Sequence, residues 1–119
     1  MKRLLFVCLI VFCLAGCSNN VDDSMVNYME AKEKIINEGA ILVDVRTKEE
    51  YDSNHIDGAS LLTLDTINEE SASKVIDSKN SVVIVYCKSG NRSSQALTIL
   101  KNLGYTEVYD LGSINNWEE

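Results

Sequence analysis

The seven residues Cys87-Lys88-Ser89-Gly90-Asn91-Arg92-Ser93 bring a thiol, a glycine, two cations and small polar side chains into one short stretch. A cysteine reacts as its thiolate, so thiol chemistry needs surroundings that stabilise a negative sulfur. Gly90 allows a tight turn that a side chain would obstruct. A tight loop that enters a helix points several backbone N–H groups into one concavity, and the positive end of the helix dipole adds to them. The charge nearest at hand is the thiolate of Cys87. Lys88 and Arg92 add cations able to hold an anionic substrate. The segment reads as a nucleophile with its own anion cradle, built from Lys88, Ser89, Gly90, Asn91, Arg92 and Ser93.

Two elements must position that loop. Residues 81–86, SVVIVY, are rich in β-branched side chains and give the strongest strand signal in the chain. Residues 93–103 place Ala96, Leu97, Ile99, Leu100 and Leu103 on a helical pattern that stops at Gly104. The loop therefore lies at the C-terminal edge of a strand, where ligands bind in open α/β sheets. Elsewhere the pattern predicts a short strand over 25–29, a helix over 30–38 ended by Gly39, and a buried strand over 40–45. A capping box, Thr47-Lys48-Glu49-Glu50, predicts a short helix. A strand over 59–64, a helix over 68–77 and a last strand over 107–109 complete the series. Strands alternating with helices predict an α/β layer fold with a largely parallel central sheet.

A chain of 119 residues allows one domain, and 45% hydrophobic with 24% charged residues is a globular composition. The net charge of −7 argues against a nucleic-acid binder and does not favour an anionic lipid surface. Met1, Lys2 and Arg3 precede an apolar run over 4–14, LLFVCLIVFCL. That run is short of the roughly 20 residues a membrane-spanning helix needs and has the flanks of a secretory leader. It ends in Leu14-Ala15-Gly16-Cys17, which resembles the lipobox of bacterial lipoproteins. The resemblance implies cleavage before Cys17, lipid on Cys17 and a place on the extracytoplasmic face of the cell envelope. Residues 1–16 are then a signal peptide, 17–24 a polar tether and 25–119 the domain. Cys8 and Cys13 leave with the leader, so Cys87 remains as a free thiol. An unpaired thiol in an exported protein is a candidate for chemistry, because oxidising compartments favour pairing.

From about residue 25 to Trp117 the chain resembles the single-domain rhodaneses, a thiosulfate sulfurtransferase family. Leu42-Val43-Asp44-Val45-Arg46 with Glu50-Tyr51, then His55-Ile56 with Gly58-Ala59, then Tyr86 to Ser93, then Leu111-Gly112 with Ile114 and Trp117 carry the resemblance in order. It implies a small three-layer α/β fold with helices on both faces of the sheet. It also implies covalent catalysis, in which Cys87 takes the outer sulfur of a donor such as thiosulfate and passes it to a thiophilic acceptor. Residues Lys88 to Ser93 would hold the donor and the anionic sulfur, with no metal or organic cofactor. Asn54 and Asp57 stand where the family commonly has glycine and proline, and Ser113 where it has a second glycine.

Two other functions compete. One is a carrier that holds persulfide sulfur for a partner with little turnover of its own. The other is a cysteine-dependent phosphatase or arsenate reductase. Phosphatases of related fold have a longer loop, whereas four residues separate Cys87 from Arg92 here. Around the loop, Asp44 and Arg46 flank Val45 at a strand end and are expected to brace it. Arg46 and Glu50, four apart, have the spacing of an ion pair. His55, the single histidine, is expected to be structural, and Trp117 to close the core.

Overall fold

The computed structural model describes residues 23–118. The expected leader, Cys17 and most of the tether lie outside the described residues. The order is α1 (Tyr28–Glu38), β1 (Ile41–Asp44), α2 (Lys48–Ser53), β2 (Ser60–Leu61), α3 (Glu69–Val75), β3 (Val82–Cys87), α4 (Asn91–Asn102) and β4 (Glu107–Ser113). Short 3-10 turns occupy Leu64–Thr66 and Ile114–Asn116.

Side chains alternate across a strand, and here both faces are apolar. Val43, Val83, Val85 and Cys87 face one side and pack with Ala72 and Ile76 near α3 and with Ala96, Leu97 and Leu100 of α4. Leu42, Ile84 and Tyr86 face the other and pack with Ala31 of α1, Ile56 and Ala59. Two apolar faces require two covering layers, which gives the three-layer arrangement. The four strands are parallel in the order β2-β1-β3-β4, so β3 is central and ends at Cys87.

The expected strand over 25–29 is corrected to a single parallel bridge between Met25 and Asp110. The helix wins because Asn27 caps it. Asn27 Oδ1 accepts from Glu30 N at 2.9 Å, and Glu30 Oε1 accepts from Asn27 N at 3.0 Å. Ser24 is already part of the domain. It is buried, its hydroxyl accepts from Lys101 Nζ at 2.5 Å, and its carbonyl accepts from Asp110 N at 2.7 Å. β2 is shorter than expected, since a 3-10 turn begins at Leu64.

β4 is longer than expected. Val85 pairs with Asp110, but Tyr86 pairs with Gly112 and Cys87 with Ser113, so Leu111 is a bulge. Asp110 Oδ1 accepts from Gly112 N at 2.7 Å, and Gly112 has φ +82°. A glycine at that conformation lets the strand resume one residue out of step.

Candidate active site

Cys87 is the last residue of β3, and Gly90, at φ +104°, opens α4. Gly90 has no side chain with which to cap the helix. Its own N–H donates to Cys87 Sγ at 3.0 Å instead. The Ser93 hydroxyl bonds Gly90 O at 3.1 Å and also reaches the sulfur, so its one proton can serve either acceptor. Burial pushes the Cys87 thiol up. Hydrogen bonds from the Ser93 hydroxyl and from the N–H groups of Ser93, Gly90 and Ser89 outweigh it, and the thiol lies below its ordinary value.

Cys87 is fully buried. Nearby lies an open depression of about 440 Å³ lined by Arg46, Glu50, Asn54, Lys88, Ile114 and Asn115, among others. Lys88 is exposed at its edge, with no ion-pair partner among the described residues. Arg92 is differently placed. Its Nη1 and Nη2 donate to Glu50 Oε1 and Oε2 at 2.7 and 3.0 Å. This corrects the expected Arg46–Glu50 pair. Glu50 is held by its capping box, accepting from Thr47 N at 3.1 Å, and reaches across to α4. Bonding to Arg92 and then to Thr47 outweighs burial and lowers the Glu50 carboxyl to about 2.

Arg46 turns to Asp44. Its Nη2 donates to Asp44 Oδ2 at 2.7 Å and to the carbonyl of Asn54 at 2.6 Å, and both charged side chains are buried. The Tyr86 hydroxyl donates to the same Asp44 Oδ2 at 2.8 Å and accepts from Ile56 N at 3.1 Å. Burial, and then the Asp44 carboxylate, raise the Tyr86 phenol. Asp44 therefore joins Arg46 to Tyr86, the residue before Cys87 in β3. The sequence reading missed Tyr86. Its signal was a phenol on a buried strand directly before the thiol, since a buried tyrosine hydroxyl needs a partner.

The Asn91 side chain does not join the cradle; its Oδ1 accepts from Gln95 Nε2 at 3.2 Å. His55 lies outside it too, stacked on Tyr51 at 3.8 Å with Nδ1 2.8 Å from the Tyr51 carbonyl oxygen. Trp117 packs edge-on against Tyr28 at 4.9 Å and borders the core under α1.

A thiol at the head of a central parallel strand, capped by the N–H groups of the following helix, defines a cysteine-dependent α/β transfer site. The rhodanese-like domain model matches residues 28–119; the chain belongs to that family and is a rhodanese-type sulfurtransferase. It is 40% identical over 74 residues to thiosulfate sulfurtransferase PspE of Escherichia coli, covering 62% of this chain and 70% of that one. It is 30% identical over 94 residues to thiosulfate sulfurtransferase GlpE of Coxiella burnetii, covering 78% and 85%. Among solved structures, a rhodanese with anions from E. coli matches with TM-score 0.60 at 38% identity, covering 65% of this chain and 89% of that one. A rhodanese-like domain protein from Staphylococcus aureus matches with TM-score 0.68 at 29% identity, covering 81% and 92%.

Proposed function

We propose that this protein moves sulfane sulfur from thiosulfate to a thiophilic acceptor through a persulfide on Cys87. The observation that carries this is the Gly90 N–H donated to Cys87 Sγ at 3.0 Å, at the N-terminus of α4. The thiolate attacks the outer sulfur of thiosulfate. The sulfur–sulfur bond of the donor breaks and its electron pair leaves with sulfite. Cyanide or a thiol then attacks the outer sulfur of the persulfide and returns the Cys87 thiolate. The N–H groups that stabilise the thiolate also stand near the anionic persulfide, and Lys88 attracts the anionic donor.

The test is thiosulfate turnover with cyanide beside hydrolysis of an aryl phosphate. Thiosulfate alone should add one sulfur to Cys87, about 32 Da, reversed by cyanide. Turnover that survives Cys87→Ala, or efficient phosphate hydrolysis with no thiosulfate reaction, overturns the proposal.

We also infer that Cys17 is lipidated and holds the domain at the extracytoplasmic face of the cell envelope. Support comes from the apolar run over 4–14 and from Leu14-Ala15-Gly16-Cys17. Cys17→Ser should leave an unprocessed precursor or a released protein. Wild-type protein recovered without lipid from the cytosol overturns the inference.

A further inference from the structure

We propose that Ser113 is a positioning residue for sulfur transfer: its hydroxyl fixes the Lys88–Ser89 peptide so that the Ser89 N–H faces the sulfur of Cys87. The bulge in β4 creates the opportunity. Had the ladder continued in step from Val85 and Asp110, Gly112 would stand beside Cys87. The extra residue, Leu111, puts Ser113 there instead.

The Ser113 hydroxyl is fully engaged. It donates to the Lys88 carbonyl oxygen at 2.6 Å and accepts from Asn115 N at 3.0 Å. With its donor and an acceptor site both used, it has little freedom to turn away. A trans peptide is planar, so its C=O and N–H point in opposite directions. No described peptide is cis. Drawing the Lys88 carbonyl toward β4 therefore turns the Ser89 N–H away from β4 and into the loop, where the sulfur lies. Ser89 N–H is one of the groups that hold the Cys87 thiol down. The loop also passes close to the residue after the bulge, since a side chain at position 90 would bring its Cβ to 3.9 Å from Gly112 Cα. One side chain on β4 thus sets one donor of an anion cradle that the sequence places entirely within the cysteine loop.

The test is alkylation of Cys87 by iodoacetamide in the full chain between about pH 5 and 10, read by mass on the peptide that contains Cys87. Other cysteines then do not contribute. The pH midpoint is compared rather than the absolute rate, so altered access to the buried thiol does not enter. Ser113→Ala should move the midpoint up by roughly half to one pH unit, the share of one orienting hydrogen bond. Ser113→Gly, which also lacks the hydroxyl, should move it the same way. Ser113→Thr should keep the wild-type midpoint. A folded Ser113→Ala or Ser113→Gly protein with the wild-type midpoint overturns the proposal. So does a Ser113→Thr midpoint displaced as far as that of Ser113→Ala. The inference rests on Cys87 as the sulfur-carrying thiol. Loss of the thiosulfate adduct on Cys87 in wild-type protein bears on that assignment, whereas the midpoints bear on Ser113 alone.

Discussion

Arg92 and Glu50, forty-two positions apart, meet in a two-pronged ion pair at 2.7 and 3.0 Å that ties the first turn of α4 to α2. The guanidinium that the sequence offers to an anionic substrate is thus already paired with a carboxylate. Glu50→Gln keeps the side-chain shape and removes the charge. The pair is about one-third exposed, so the cost in stability should be about 0.5–1 kcal/mol. The freed guanidinium should meanwhile attract the donor, and KM for thiosulfate should fall. Thermal unfolding and steady-state kinetics on one preparation check both. An unchanged or raised KM in a folded variant refutes the claim that Glu50 screens Arg92.

Lys88 and Arg92 should separate in kinetics. Lys88 is exposed at the depression and has no ion-pair partner among the described residues. Lys88→Ala should raise KM for thiosulfate by several-fold, about 1 kcal/mol, with little change in kcat. The rise should shrink as salt is added. Arg92→Ala removes the tie between α4 and α2 and should lower kcat and thermal stability together. The reverse ordering, a kcat effect from Lys88 and a pure KM effect from Arg92, contradicts this division.

The Glu50–Arg92 pair also fixes a pH window. The Glu50 carboxyl lies at about 2 when folded, against an ordinary 4.5. A carboxylate whose pKa is lower in the folded state stabilises the fold fully above the unfolded pKa. That contribution fades as pH falls from about 4.5 and is gone below about 2. Stability of wild-type protein should therefore fall more steeply over this range than that of Glu50→Gln. Parallel curves from denaturant titrations at stepped pH would show that the carboxylate is not paired in solution.

Much of this is legible in the sequence. The run over 81–86 is apolar on both faces, and that over 40–45 is apolar but for Asp44, which is what a central parallel strand requires. The glycine and small polar residues after Cys87 announced the anion cradle. What escaped the sequence was set by pairing between distant segments. The residues at 25–29 read as a strand, but the Asn27 cap gave the chain to α1. Arg46 and Glu50 have ideal helical spacing, yet Arg46 stands before the helix and is engaged by Asp44, leaving Glu50 for Arg92. Ser113 read only as a departure from glycine, because its role depends on a bulge that no local pattern encodes. Tyr86 was hidden by its own strand, where a phenol counts as one more apolar residue.

Tyr86→Phe tests that hidden link. The Tyr86 hydroxyl joins Asp44 Oδ2 at 2.8 Å to Ile56 N at 3.1 Å, and all three residues are buried. Phenylalanine fills the same space but leaves the Ile56 N–H and one carboxylate position short of a partner. Stranding such groups costs about 1–3 kcal/mol. In a domain of this size that is a drop in Tm of roughly 5–15 °C. The thiol should respond differently. Tyr86 faces the α1 side of the sheet and Cys87 the α4 side, so the phenol touches none of the donors around the sulfur. The alkylation midpoint of Cys87 in Tyr86→Phe should therefore match wild type while Tm falls. A midpoint that moves as far as in Ser113→Ala would mean that the Asp44–Arg46–Tyr86 network reaches the thiol through the backbone of β3.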